Sequence, residues 1–297
     1  DWRMGYRSAL RRVLPERIAT VADALCFNMA SALDPELYGN LRRTGTVHII
    51  SASGAHVAIL AVFLDFVLGA LLPLGRKWRL LVLFGILVLY AIATGLNPPI
   101  IRSVFMAMVL LWAYVLRREP DGLCALGCAA LIALAVSPAG LFEPSFQLSF
   151  AAMLGLITLI NNRSDDSVDA LQRFKRKAVA AGQASIVAIY ATTPIIAYWF
   201  GTFATIAVLA NLMIVPVLPP LIIFPMLAQG LATFRPELSA WVLSNLYAPL
   251  CGWLMYVVDS LGSLSWASTD LPAIPIWFWI PYYCVGLIWW RKRLETT

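Results

Sequence analysis

The stretch HIISASGAHVAIL, residues 48–60, contains both histidines of the 297-residue chain and begins a long apolar segment. His48 and His56 lie on either side of Ser53 and Gly54, so the polar side chains are concentrated at the start of the segment. Most of the residues that follow are apolar. Because a helix needs roughly 20 apolar residues to span the hydrocarbon core of a bilayer, this segment predicts a membrane-spanning helix with a polar entrance.

The composition of the whole chain indicates a multi-pass membrane protein. Hydrophobic residues make up 61% of the sequence and charged residues 13%, whereas roughly 25% of residues are charged in ordinary soluble domains. We therefore predict an all-α fold, a polytopic transmembrane helix bundle with about nine crossings, one of them broken or re-entrant. The predicted crossings are residues 47–73, 78–95, 98–117, 122–137, 145–161, 178–200, 203–233, 240–262 and 274–290.

Basic residues predict the orientation of these crossings. Arg and Lys follow the first, third and fifth crossings, and cytoplasmic loops are enriched in both residues, so these connections are placed in the cytoplasm. His48, the connection at 200–203 and Asp270 then lie at the outer side. Residues 203–233 are too long for one straight helix and contain four prolines, among them Pro216, which predicts the broken or re-entrant element.

Three regions are predicted along the chain. Residues 1–46 have apolar positions at helical spacing interrupted by charged residues, which favours extracytoplasmic amphipathic helices lying in the plane of the membrane. Residues 47–290 form the transmembrane domain, and residues 291–297 form a basic cytoplasmic tail. The chain begins with Asp1 rather than Met, so we expect it to be part of a longer protein.

Arg102 is an ionisable residue inside a predicted crossing. Such side chains are costly at membrane depth and usually face the interior of a helix bundle or a water path. Arg102 lies about four residues into its crossing after Pro98, which places it near the outer boundary, where its side chain can snorkel to the interface. Three roles stay open for it: an interfacial anchor, a salt bridge to Glu143, or a contact to an anionic substrate.

The histidines also suggest two kinds of chemistry. Eight residues apart on one helix, their rings are about 12 Å apart along the axis, and no HExxH pattern or nearby acid supplies further metal ligands. We therefore predict no metal and no cofactor, and interpret His48 and His56 as neutral hydrogen-bond partners. An intramembrane hydrolase using Ser53 and His56 stays an alternative, although no carboxylate lies near to orient the histidine.

Four segments in chain order share a pattern with a known family: HIISASGAHV (48–57), GLNPPIIRSVFMAM (95–108), SFQLSFAAMLGL (145–156) and TTPIIAYWFGTFATIAVLANLMIVP (192–216). Together they resemble the ComEC competence-protein family, although Pro99 stands where a serine is usual. The positions that match the family pattern are His48, Ser53, Gly54, His56, Gly95, Pro98, Arg102, Met106, Phe146, Gln147, Ser149, Gly155, Pro194, Phe200, Gly201, Asn211 and Pro216.

The resemblance implies an inner-membrane channel through which single-stranded DNA enters the bacterial cytoplasm during natural transformation. Members of the family commonly carry an extracytoplasmic OB-fold domain before this region and a metallo-β-lactamase-like domain after it, and neither lies within this sequence. The sequence has no HxHxDH metal pattern, so the nuclease activity proposed for the appended domain is not assigned and no enzyme activity is predicted. A cytoplasmic DNA motor and an outer DNA receptor are the protein partners that the resemblance implies.

A channel for a polyanion needs a wet, weakly cationic lining, and arginine at its mouth can form bidentate phosphate contacts. The resemblance implies single-stranded DNA as a partner, and the apolar composition implies the lipid bilayer. A small-solute secondary transporter stays the main alternative, because broken helices at the membrane midplane suit it equally. The motif residues divide into candidates for the DNA path, namely His48, Ser53, Gly54, His56, Arg102, Gln147 and Asn211, and structural positions, namely Gly95, Pro98, Pro194 and Pro216.

Overall fold

The computed structural model describes residues 10–27, 33–50, 54–72, 75–94, 98–115, 121–159, 170–232, 234–271, 277 and 279–295. Helices dominate this part of the chain, in agreement with the predicted class. They are α1 (Glu16–Phe27), α2 (Pro35–Arg43), α3 (Val47–Ile50), α4 (Gly54–Leu71), α5 (Arg76–Ala93), α6 (Pro98–Val115), α7 (Gly122–Val136), α8 (Pro144–Leu159), α9 (Ala170–Phe200), α10 (Ala207–Ile214), α11 (Leu218–Ala232), α12 (Pro236–Val242), α13 (Ala248–Gly262) and α14 (Trp279–Glu295).

Capping aspartates explain where helices α2 and α7 begin. The Asp34 carboxylate accepts a hydrogen bond from the backbone N–H of Glu36 at 3.1 Å at the start of α2. At the start of α7, the Asp121 carboxylate accepts one from the N–H of Leu123 at 2.8 Å. These bonds satisfy N–H groups of the first turn that have no partner inside the helix, so the aspartates determine where α2 and α7 begin.

Two hydrophobic clusters hold the helices together. In the larger cluster, buried side chains of the N-terminal helices such as Leu25 and Leu41 pack with Leu221 of α11 and Leu254 of α13. The smaller cluster joins α4, α5 and α6. Met226 of α11 packs against both clusters. Helix α11 therefore lies where the two groups of helices meet.

The N-terminal helices form part of the larger cluster. Helix α1 contacts α11 and α13, and α2 contacts α13. At the end of α2, Arg43 Nη2 donates to the carbonyl of Leu264 at 2.6 Å, and Asn40 Nδ2 donates to Asp259 Oδ1 at 3.0 Å. The predicted in-plane amphipathic helices are not confirmed, because the apolar face of these helices packs against protein. The separation of residues 1–46 from the rest of the chain stays a prediction.

The nine predicted crossings coincide largely with helices, but nine crossings are not confirmed. Helices α5 and α14 each carry three basic residues at one end, which shortens their apolar part. Four stretches of the described residues have the length and hydropathy for a membrane span: Gly54–Leu71, Val179–Phe200, Ala207–Ala232 and Pro236–Gly262. Shorter apolar stretches lie at Ile100–Val109, Gly122–Ala135 and Pro144–Leu159.

The segment predicted to be broken is interrupted in the structure. Helix α10 ends at Ile214, a 3₁₀ turn follows at Val215–Val217, and α11 begins at Leu218. Pro216 lies in the 3₁₀ turn, and Pro225 lies inside α11. Because proline lacks an N–H and its ring crowds the preceding turn, Pro216 accounts for the interruption, whereas Pro225 lies beyond it. A second irregularity, a π-helical turn between α12 and α13, was not predicted.

A short β-ribbon departs from the all-α prediction. Strand β1 (Thr202–Ala204) pairs antiparallel with strand β2 (Ser268–Asp270). The N–H of Leu271 donates to the carbonyl of Gly201 at 2.8 Å, and Gly201 has a φ of +62°, which glycine adopts without steric strain. The ribbon joins the end of α9 to the chain that follows α13. Strands of three residues are too short to show the alternation by which sequence predicts strands.

Candidate functional site

His48 lies on α3 and His56 lies near the start of α4. Between these helices are residues 51–53, and Ser53 with them lies outside the described residues. The Nδ1 atom of His48 is 3.0 Å from the carbonyl oxygen of Gly45, and the His56 side chain is fully buried. The course of the chain between the two histidines, and the turn or kink expected at Ser53, therefore stay predictions.

Gly54 is the point at which α4 approaches α6. A Cβ atom on this glycine would lie 2.8 Å from the hydroxyl oxygen of Ser103, whereas the next nearest atom, the Ser103 Cβ, would be 3.8 Å away. Atoms that are not bonded do not pack at 2.8 Å when one of them is carbon, so a side chain at this position displaces the serine. The motif glycine thus allows the start of α4 to contact the residue beside Arg102.

Arg102 lies on α6 with only 2% of its surface exposed. Its Nη2 atom donates to the backbone carbonyl of Ser145 at 2.8 Å, at the start of α8. The guanidinium carbon is 5.5 Å from the ring centroid of Phe146 and 5.4 Å from that of Phe150, within the range of a cation–π interaction. The Nε and Nη1 atoms are buried without a hydrogen-bond partner among the described residues.

These contacts correct two of the roles considered for Arg102. Its side chain is enclosed by α6 and α8 and does not reach an exposed position, so it does not snorkel. Within the described residues it forms no ion pair with Glu143, whose side chain is exposed and accepts a hydrogen bond from the Ser145 hydroxyl at 3.5 Å. The backbone carbonyl of Ser145 replaces the carboxylate that the sequence suggested as partner.

Gln147 connects α8 to two neighbouring segments. Its Nε2 atom donates to the carbonyl of Leu141 at 3.0 Å, in the 3₁₀ turn Pro138–Phe142. Its Oε1 atom accepts a hydrogen bond from Trp199 Nε1 of α9 at 2.9 Å. One turn of α8 therefore carries both the Arg102 contact and the Trp199 contact. We call the group formed by Gly54, Ser103, Arg102, Phe146, Phe150, Gln147 and Trp199 the Arg102 cluster.

Comparison with known proteins assigns the chain to a family. The family model described as "Competence protein" matches residues 25–295, which is most of the chain. The chain belongs to the competence-protein family. This membership agrees with the resemblance found in the four sequence motifs, and the matched range includes α2 and α3 as well as the apolar helices.

Two relatives of the chain are longer proteins. ComE operon protein 3 of Bacillus subtilis is 26% identical over 260 residues, which cover 85% of this chain and 31% of that protein. Competence protein ComA of Neisseria gonorrhoeae is 29% identical over 265 residues, which cover 84% of this chain and 36% of that protein. The chain thus spans about a third of each of these competence relatives. No solved structure matches it.

Not all motif residues of the chain meet at the Arg102 cluster. Asn211 is buried on α10, its Oδ1 has no hydrogen-bond partner among the described residues, and α10 contacts α9 and α13. Pro194 is buried inside α9, and Pro216 is exposed in its 3₁₀ turn. Pro98 is the first residue of α6, and Gly95 lies outside the described residues. The four motifs therefore come together in part, through the first three motifs and the end of α9.

Sequence reasoning missed Ser103 and Phe150 as site residues. Ser103 follows Arg102 directly, and Phe150 lies one turn after Phe146, which was matched to the family pattern without a role at the site. Their positions inside the motifs were the available signal. No group of three or more His, Cys, Asp or Glu side chains suited to a metal ion occurs in the part of the chain that the structure describes.

Proposed function

We propose that this chain forms the channel through which single-stranded DNA crosses the bacterial cytoplasmic membrane during natural transformation. Membership in the competence-protein family and the apolar helices support this function. The observation that carries the proposal is the Arg102 cluster, in which α8 contacts a buried arginine of α6. Helix α4 and the end of α9 join this group through Gly54 and Trp199. Ionisable groups buried among membrane helices usually mark a substrate path.

In this proposal, Arg102 contacts passing phosphate groups. A guanidinium group is planar and always charged, and it binds phosphate oxygens through two parallel N–H bonds. One of its terminal nitrogens is already bound to Ser145, while Nε and Nη1 still have donors to offer. Since the side chain is enclosed, a phosphate reaches these donors when α6 and α8 move apart. The carbonyl of Ser145 and the rings of Phe146 and Phe150 hold the arginine when no DNA is present.

Aromatic side chains beside the cluster supply contacts for the bases. Trp199 is 43% exposed, and the neighbouring Tyr198 and Phe200 are 70% and 46% exposed. Stacking of a base on an aromatic ring is tolerant of sequence, because every base has a π-face. The hydrogen bond from Trp199 to Gln147 orients one of these rings toward α8. A phosphate contact and a stacking surface on adjacent helices suit an unpaired strand.

The remaining partners are proposed from the family resemblance. We place the chain in the bacterial cytoplasmic membrane as a multi-pass protein, with residues 47–290 as the channel. An extracytoplasmic OB-fold domain and a metallo-β-lactamase-like domain belong to the longer protein, and a DNA motor inside the cell and a DNA receptor outside it act with the channel. No catalytic role is assigned to this chain.

The proposal is tested by uptake of fluorescently labelled single-stranded DNA into liposomes that contain the purified chain in one orientation. We expect Arg102→Lys to retain part of the uptake, because the charge persists, and Arg102→Glu to block it by repelling the phosphates. Arg235→Glu is the matched control, since it makes the same charge change at an exposed position before α12. Entry of a small anionic dye measures leakage.

Two outcomes would contradict the proposal. Equal DNA uptake by the wild-type chain and by Arg102→Glu would remove the arginine from the DNA path. Recovery of uptake in the double variant Arg102→Glu with Glu143→Arg would show that the two side chains act as a structural pair. Transport of a small solute without DNA would instead support the secondary-transporter alternative.

A further inference from the structure

Helix α14 contacts α9 through the hydroxyl groups of tyrosines. The rings of Tyr190 and Tyr282 stack with their centroids 4.4 Å apart. The Tyr190 hydroxyl donates to the carbonyl of Tyr282, the Tyr282 hydroxyl donates to the carbonyl of Tyr190 at 3.0 Å, and the Tyr283 hydroxyl donates to the carbonyl of Ala191 at 2.9 Å. A Cβ atom on Gly286 would lie 2.6 Å from the Tyr190 hydroxyl, so this glycine permits the contact.

The three carbonyl acceptors differ in whether their own helix supplies a backbone N–H donor. In an α-helix, each carbonyl accepts a hydrogen bond from the N–H four residues later. The carbonyls of Ala191 and Tyr282 have such a donor within α9 and α14. The residue four positions after Tyr190 is Pro194, which has no N–H, so the carbonyl of Tyr190 lacks its helical donor. Of the three hydroxyls, only that of Tyr282 therefore replaces a missing backbone donor.

The hydrogen bond from Tyr282 to the Tyr190 carbonyl lies within the apolar part of α9. An unsatisfied backbone carbonyl is costly inside a membrane, where no bulk water can bind it. Pro194 is buried, and the six residues that follow it form the end of α9. Trp199 is in this last part and donates to Gln147 of α8. The bond from Tyr282 thus secures α9 at the proline, just before the segment that contributes to the Arg102 cluster.

We infer that the Tyr282 hydroxyl caps the carbonyl freed by Pro194 and that α14 thereby positions the outer end of α9, including Trp199. Tyr282 is a positioning residue, since it acts through α9 and does not touch the Arg102 cluster. The cap itself rests on the contacts between α9 and α14. Its effect on DNA passage rests on the proposed function, so the two parts are tested by separate measurements.

The cap is tested by a double-mutant cycle on the purified chain in detergent. Tyr282→Phe keeps the ring that stacks on Tyr190 and removes only the hydroxyl, so we expect the Tm to fall by about 2–4 °C. Pro194→Ala supplies an N–H to the Tyr190 carbonyl, and in that background we expect Tyr282→Phe to leave the Tm nearly unchanged. If Tyr282→Phe lowers the Tm equally in the wild-type chain and in Pro194→Ala, the proposed cap is wrong.

Tyr283→Phe is the matched control for this cycle. Its hydroxyl donates to the carbonyl of Ala191, which keeps its helical donor whether residue 194 is proline or alanine. We therefore expect the loss of Tm caused by Tyr283→Phe to be the same in the two backgrounds. A loss that depends on Pro194 as strongly as that of Tyr282→Phe would mean that the proline acts on the whole contact and not through one carbonyl.

Positioning is tested by the distance between spin labels attached to cysteines at Phe142 and Tyr198, both highly exposed, in a chain whose exposed native cysteines are replaced by serine. We expect Tyr282→Phe to broaden the distance distribution, and Pro194→Ala to restore it. An unchanged distribution would overturn the positioning role. If the distances change as expected while DNA uptake into liposomes does not, the positioning holds and the proposed base-stacking role of Trp199 fails.

Discussion

Two groups of equally apolar helices differ in how far they are buried. In each of the spans Ala207–Ala232 and Pro236–Gly262, 39% of the apolar 18-residue stretch is buried inside the protein. The buried share is 17% for Gly54–Leu71 and 11% for Val179–Phe200. The first two spans are covered by the N-terminal helices, which belong to the same hydrophobic cluster. The last two leave large side chains such as Phe66, 74% exposed, on the protein surface.

The difference indicates two ways of holding membrane helices together. The helices around α11 and α13 share the larger apolar cluster. In the other group, Arg102 joins α6 to α8 and Gln147 joins α8 to α9 through hydrogen bonds. Within a bilayer, apolar packing between helices has no hydrophobic driving force against lipid, so buried hydrogen bonds and close contacts at small residues decide how such helices associate.

The largest expected effect is a loss of stability in the enclosed group. Leu254 of α13 is fully buried in the larger cluster, and Leu254→Ala should lower the free energy of unfolding by about 2–5 kcal/mol, because it removes apolar contacts and leaves a cavity. Phe66→Ala on α4 is the control and should change it little. Denaturant titration in detergent micelles measures both. Similar losses for the two variants would remove the distinction between the groups.

A smaller effect is expected where α4 meets α6. Gly54→Leu forces the helices apart at Ser103 and should cost about 1–3 kcal/mol of stability, with a loss of transformation at normal membrane abundance. Gly54→Ala combined with Ser103→Ala should be tolerated, since the nearest remaining atom would be 3.8 Å from the new Cβ. Full transformation by Gly54→Leu would mean that the close approach is not required.

The smallest expected effect concerns the ion pair between α4 and α5. Arg79 Nε lies 2.8 Å from Asp65 Oδ1, and their side chains are 22% and 39% exposed. Because partly exposed ion pairs contribute little, Asp65→Asn should lower the free energy of unfolding by about 0.2–1 kcal/mol. Added salt should reduce the difference between the variant and the wild type. If Asp65→Asn lowers the free energy of unfolding as much as Leu254→Ala does, the ion pair dominates the contact between α4 and α5.

Several features of the fold were predictable because they depend on neighbouring residues. Apolar runs predicted the helices, and the prolines of residues 203–233 predicted the interruption near Pro216. The motif at residues 48–57 was recognised as a resemblance, and Gly54 lies at a close contact between helices. The first two features are local, because hydropathy and a missing N–H act within one or two helical turns. The contact of Gly54 with Ser103 instead joins two distant parts of the chain.

Other features were missed, or are not confirmed, because they depend on distant residues. The periodicity of residues 16–27 shows an apolar face but not whether protein or lipid covers it, and α11 and α13 cover it. The β-ribbon pairs Phe203 with Thr269, two residues far apart in the chain. The carbonyl of Ser145 was not considered as a partner for Arg102, because every residue but proline has the same backbone groups.

The sequence by itself determined that the chain is a mostly helical, apolar member of the competence family, with a broken helix near Pro216 and motif residues on several helices. Only the tertiary structure decided that the N-terminal helices are buried, that Arg102 contacts α8 and not Glu143, and that Tyr282 meets the carbonyl freed by Pro194. The physical reason is that burial and hydrogen bonding are properties of pairs of groups. A sequence specifies each group, whereas the packing of the helices determines which groups meet.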